Sequence, residues 1–134
     1  MIPSTNSVLT QNLEFTIKPT KQYKLDIENN RIRGYCDGLE ALKLTIYHIL
    51  LTERYRHLIY SWNYGIELDD LFGMPTRYIC LELKRRITEA LTQDDRINAV
   101  DNFIFEIPNK KTIHVTFTAH TIYGNIEAEK EVRV

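Results

Sequence analysis

The run Thr112-Ile-His-Val-Thr-Phe-Thr-Ala-His-Thr121 puts Ile113, Val115, Phe117 and Ala119 on one side of an extended chain, against Thr112, His114, Thr116, Thr118 and His120 on the other. Strict alternation over this length marks a β-strand with one buried face. Working outward, Phe103, Phe105 and Ile107 alternate with Ile104 and Glu106. Ile126, Ala128, Val132 and Val134 alternate with Glu127, Glu129, Glu131 and Arg133. Pro108-Asn-Lys-Lys111 and Tyr123-Gly-Asn125 supply turn residues between the three runs, which predicts a three-stranded antiparallel meander with one greasy face and one polar face.

The period upstream is helical. Asp37 is suited to an N-cap and Glu40, three residues on, completes a capping-box pattern. Leu39, Leu42, Ile46, Ile49 and Leu50 share one face of the helix that follows, and Leu44, Tyr47 and Leu51 widen the arc enough to predict cover on more than one side. Pro75 and Thr76 start a second helix whose narrower stripe is Cys80, Leu83, Ile87 and Leu91, with Glu82 and Arg86 at i,i+4. Two amphipathic helices and a one-sided sheet pack most economically with both helices on the apolar face. The predicted fold class is α+β.

Before the first helix, residues 1–12 are polar and predict a flexible N-terminal arm. Leu13-Glu-Phe-Thr-Ile-Lys18 and Tyr23-Lys-Leu-Asp-Ile-Glu28 both alternate, and pairing them across Pro19-Thr-Lys-Gln22 gives a β-ribbon. Asn29-Asn30 makes a further turn into a short extended piece, Arg31 to Cys36. Such a ribbon is marginal alone and has to dock on something. The expected organisation is therefore an arm at 1–12 and one domain at 13–134, with a ribbon extension at 13–36 and a core at 37–134.

Composition narrows function by exclusion. The 134 residues suffice for one domain, and 43% hydrophobic with 26% charged residues is ordinary for a globular chain. With 17 basic and 18 acidic residues the formal net charge is −1, so no global field draws a nucleic acid. The start of the chain has neither a basic nor an apolar signal region, and no apolar run approaches bilayer length, which predicts no membrane association. Cys36 and Cys80 lack metal or redox spacing and read as two reduced thiols.

Catalytic patterns are sparse. His114 and His120 share a strand face but lie about 20 Å apart, too far for one metal ion, and His48 reads as a packing residue. No zinc-protease helix, nucleophile elbow, phosphate loop or dinucleotide loop occurs, so neither metal nor cofactor is expected. Glu67, Asp69 and Asp70 are the one acid group with a conceivable glycosidase role, which would need one of them held protonated. Acids so placed more often face solvent near a helix start.

Two regions fit partner binding better. The connection Tyr60-Ser-Trp-Asn-Tyr-Gly-Ile-Glu-Leu-Asp-Asp-Leu-Phe-Gly-Met-Pro75 holds the only Trp and two of the eight Tyr, a density that predicts a folded, functional linker. Asp94-Asp95-Arg96 reads either as a solvated helix end or as a guanidinium placed to fork a carboxylate or reach a partner. The last strand, if it lies at the sheet edge, is either guarded by its charges or offered to another chain.

The order Tyr60-x-x-Asn63-Tyr64-Gly65-x-x-Leu68-x-x-Leu71, a helix, Asp94-Asp95-Arg96-Ile97 and a meander resembles the baseplate wedge family of contractile-tail phages. More narrowly it is similar to short baseplate proteins of PBSX-type defective prophages, with relatives in type VI secretion and other contractile injection machines. The resemblance covers about residues 37–134. It implies a structural protein of the inner baseplate, beside the wedge proteins and in multiple copies around the tail axis. It also implies that the sheet templates the first ring of tail sheath subunits. The family's Glu-Pro-Arg motif falls on Asp94, Asp95 and Arg96, with Asp95 in place of the Pro, and its Gly-containing loop falls on Asn63, Tyr64 and Gly65. Those six are the expected partner-binding residues. Strands 111–120 and 126–134, with Glu127, Glu129, Glu131 and Arg133, are the expected sheath-pairing region. The implied location is the host cytoplasm during assembly and then the virion tail. The family also carries a legacy lysozyme label, so peptidoglycan cleavage is the alternative activity.

Overall fold

The computed structural model describes residues 16–17 and 19–134. The chain runs β1 (Gln22–Asp26), β2 (Arg31–Cys36), α1 (Gly38–Leu51), a 3-10 turn (Asp69–Leu71), α2 (Thr76–Thr92), β3 (Ile97–Asn109), β4 (Thr112–Thr121) and β5 (Gly124–Arg133). β4 is the alternating run, and every second residue from Ile113 to Thr121 is buried. It lies in the middle of an antiparallel sheet of order β3-β4-β5. α1 packs over β5 and α2 over β3. The core between them joins Leu42, Ile46, Ile49 and Leu50 from α1 to Ile79, Leu83, Ile87 and Leu91 from α2. The sheet adds Ile113, Val115, Phe117 and Ile126. This is the α+β arrangement predicted, with both helices on one face of the meander.

The two sheet edges differ. β4 and β5 stay in one register from Thr112↔Arg133 to Thr121↔Gly124. Against β3 the register shifts three times, between Ile97 and Ala99, Asp101 and Ile104, and Glu106 and Asn109. Asn102, at φ 54°, sits in the second shift, and Pro108 lies in the third. Each extra residue re-aims the side chains after it. That is why β3 starts as early as Ile97, and why the period-two reading fails at Ile107, which is exposed while Phe103 and Phe105 pack against the core. Phe103 stacks on Phe117 at 5.7 Å, and Lys84 of α2 stands 5.9 Å over the Phe103 ring.

Asp37 caps α1, its carboxylate accepting from Gly38 N at 2.7 Å. The other half of the expected capping box is absent, because Glu40 pairs with Lys24 at 2.9 Å instead. The apolar arc of α1 is also narrower than predicted. Leu44 is half-buried and Tyr47 and Leu51 are exposed, since the sheet and α2 cover only one side.

The N-terminal ribbon exists. Among the described residues β1 pairs with β2 across the Asn29-Asn30 turn. Thr16 and Ile17 lie in no strand, and the rest of 13–18, like the expected arm at 1–12, lies outside the described residues. The turn forms because Asn30 tolerates φ 50° and the Asp26 carboxylate accepts from Asn29 N and Nδ2 at 3.3 and 2.8 Å. The ribbon docks on α1 through Gln22, whose Nε2 donates to Ala41 O and, at 3.3 Å, to Thr45 Oγ1. Thr20 Oγ1 donates to the Asp37 carboxylate beside it.

Candidate partner-binding surface

The linker between the helices is folded, as its composition predicts. Past Thr52 the chain forms a parallel bridge between Glu53 and Ile66, with Ile66 N donating to Thr52 O at 3.0 Å and Arg54 N to Ile66 O at 3.1 Å. Gly65 makes this possible. Its φ is +89°, and a Cβ there would lie 2.6 Å from Thr52 O. Arg54 donates from Nε and Nη2 to Gly65 O at 3.3 and 3.1 Å and reaches Glu89 of α2 at 3.1 Å. Glu53 takes the place of a cap for the 3-10 turn, its carboxylate accepting from Leu68 N at 2.9 Å and Asp69 N at 3.3 Å.

Arg86 closes the other end. Buried on α2, it donates to Glu67 O at 2.9 Å, to both Asp70 carboxylate oxygens, and to Glu82 at 3.1 Å. These bonds raise the Arg86 pKa beyond its ordinary value, and the guanidinium hydrogen bond holds the Asp70 carboxyl below its own. Asp69 pairs with Arg56 at 2.5 Å. A glycosidase acid needs a raised pKa, so Asp70 is displaced in the opposite direction. Glu53, Arg54 and Arg86 were missed as organisers of the linker. Only the Glu82–Arg86 spacing hinted at them, because their remaining partners lie across the fold.

The six predicted contact residues come together. Asn63, Tyr64 and Gly65 meet Asp94, Asp95 and Arg96 around a cavity of about 270 Å³ whose floor includes Thr45, Ile49 and Ala90. Asn63 Nδ2 donates to Gln93, the residue after α2, at 3.2 Å. Tyr64 stacks on Tyr60 with centroids 4.6 Å apart, and burial raises its phenol pKa. Arg96 is buried and forks Asp94, Nε to Oδ1 at 2.8 Å and Nη2 to Oδ2 at 2.6 Å, while its own backbone N donates to the same carboxylate at 3.0 Å. This hydrogen bonding raises the Arg96 pKa. Of the two roles expected for the guanidinium, forking a carboxylate is therefore met within the loop. Asp95 is exposed at the cavity rim, and the approaching segment leaves Leu58, Ile59 and Trp62 almost wholly in solvent, at 101, 87 and 76% exposure.

At the sheet, β4 lies between β3 and β5 and has no open edge, so the expectation that 111–120 also pairs with sheath arms is corrected. β5 has one. Val134 N donates to Lys111 O at 2.8 Å in the register of the ten pairs that follow, so the even-numbered residues of β5 bond to β4. The N–H and C=O groups of Glu127, Glu129, Glu131 and Arg133 point the other way, and no strand meets them among the described residues. Their side chains are exposed. His114 pairs with Glu129 at 3.2 Å and His120 with Asp101 at 2.8 Å. Among the described residues no cluster of ligating side chains forms a metal site, and no helix is long and apolar enough to cross a membrane. Cys36 and Cys80 are free thiols.

Comparison with known proteins places this geometry. The family model for the contractile injection system sheath initiator matches residues 13–124, which takes in β1 and β2 as well as both helices. The Phage-like element PBSX protein XkdS of Bacillus subtilis (strain 168) is 38% identical, the alignment covering 92% of this chain and 96% of that protein. A helix-backed sheet with an open, regular edge thus carries the sequence of a structural component of contractile tails, and the chain belongs to the contractile injection system sheath initiator family.

Proposed function

We propose that this chain acts without catalysis in a contractile-tail baseplate, joining the inner wedge through the cavity surface and templating the first sheath ring along β5. The regular edge of β5, unpaired among the described residues, carries the reading, because an extended arm laid against Glu127, Glu129, Glu131 and Arg133 gains backbone hydrogen bonds with no rearrangement of the domain. β3 is the poorer template, since three register shifts and Pro108 interrupt it. The wedge contact uses the exposed Leu58, Ile59 and Trp62 as an apolar anchor beside Asn63, Tyr64 and Asp95. Arg96 acts by holding Asp94, and with it the loop shape that the partner meets. The chain assembles in the host cytoplasm with wedge proteins and sheath subunits, in several copies around the tail axis, and stays in the virion tail.

The test is made on tails from an induced lysate carrying Glu129→Pro. The substitution removes one outward N–H and leaves the β4–β5 ladder bonds in place. The variant should enter the baseplate at the wild-type level by mass spectrometry, while electron micrographs show baseplates without sheath. Sheaths of normal frequency and length on baseplates that contain the folded variant would defeat the edge-pairing reading.

A further inference from the structure

The acidic residues of β5 lie on the face and at the strand whose backbone is open, with Glu127, Glu129 and Glu131 at consecutive outward positions. Basic side chains beside them are few, His114 standing 3.2 Å from Glu129 and Arg133 3.8 Å from Glu131. Neighbouring positions on β4 are otherwise the neutral Thr112, Thr116 and Thr118. The opposite face of β5 carries Ile126, Ala128 and Val132 under α1, with the half-buried Lys130 between Ala128 and Val132. A strand added at this edge therefore meets two surfaces of different chemistry, an acidic one at every second residue and, between, a mainly apolar one interrupted by Lys130.

We infer that β5 selects an extended arm in which basic residues alternate with apolar ones, and that Glu127, Glu129 and Glu131 are its specificity determinants. The inference rests on the edge-pairing reading above and names the partner for it. Cross-strand pairs of opposite charge stabilise a sheet and like charges directly opposite destabilise it. The same three residues keep the edge from pairing with a second copy of this chain. In the antiparallel register centred on Glu129, Glu127 faces Glu131, Glu129 faces Glu129, and Glu131 faces Glu127. One acidic row thus rejects self-association and admits the basic arm, which is discrimination by repulsion as much as by attraction.

Two blocked nine-residue peptides, one alternating Lys and Val and the other Glu and Val, serve as probes in calorimetric titrations of the whole chain. The Lys–Val peptide should bind about tenfold tighter or more, with the advantage shrinking as salt rises. A chain carrying Glu127→Lys, Glu129→Lys and Glu131→Lys together should reverse the preference, with circular dichroism confirming that it is folded. Glu129→Pro should abolish binding of the Lys–Val peptide, because pairing needs the outward N–H. Equal affinity for both peptides, no binding of either, an unchanged preference in the triple variant, or binding that survives Glu129→Pro would each overturn the inference. So would wild-type chain that dimerises through β5 in sedimentation. In tails, normal sheath growth on triple-variant baseplates alongside failure on Glu129→Pro baseplates would remove the charge selection and leave the pairing reading standing.

Discussion

Single residues explain why the linker keeps its shape. Gly65 stands where any Cβ would meet Thr52 O at 2.6 Å, in a backbone conformation that L-residues avoid. Gly65→Ala should cost about 2–3 kcal/mol, from the left-handed backbone and the strained Thr52–Ile66 hydrogen bond. Urea denaturation measures this, and an unchanged midpoint would mean that the linker refolds around the methyl group. Asp70 makes a pH-dependent prediction. Its folded pKa lies below the ordinary 3.8 because Arg86 hydrogen-bonds the ionised form. Its contribution is thus fully present above the unfolded pKa and is lost as pH falls through the depressed folded value. The unfolding midpoints of wild type and Asp70→Asn should differ at neutral pH and converge as pH falls through the depressed folded value. A gap that stayed constant down to acid would show that charge pairing with Arg86 is not its source.

At the scale of elements, α1 shows what hydrophobic periodicity can and cannot say. Its spacing correctly identifies a helix with Leu42, Ile46, Ile49 and Leu50 inward. Tyr47 and Leu51 fit the same apolar arc, yet both are exposed, with no element among the described residues packed over them. Ile46→Ala should therefore destabilise by about 2–5 kcal/mol, because it opens a cavity between sheet and helices. Leu51→Ser should change stability by no more than about 0.5 kcal/mol. Thermal unfolding of the two variants checks the contrast, and a large loss for Leu51→Ser would reveal cover on that side. Strands behave alike: alternation identified β4 and β5 fully, while bulges in β3 spoiled it at Ile107. The ribbon was legible from its alternation, and among the described residues the turn at Asn29-Asn30 joins β1 to the extended piece that becomes β2.

For the whole molecule, the two proposed contact regions lie on different parts of the same helix-and-sheet core. The cavity forms where α1, the linker and the loop after α2 meet, and the open edge lies along β5. Arg96 links them through the backbone, because its carbonyl accepts from Ile122 N at 3.1 Å in the turn that leads into β5. A wedge contact at the cavity and a sheath contact at the edge can then be held at a fixed spacing, as initiation of a regular sheath requires. The sequence by itself determined the fold class and the helix-and-meander order, because periodicity and turns are local properties written residue by residue, while Asn63 to Gly65 and Asp94 to Arg96 were singled out by their match to a family motif. Only the tertiary structure decided that these stretches line one cavity, that the Arg96 fork closes on Asp94, that Arg86 binds Asp70, and that β5 rather than β4 offers the edge. Each of those outcomes depends on which distant segments the core draws together, and one-dimensional spacing carries no information about that.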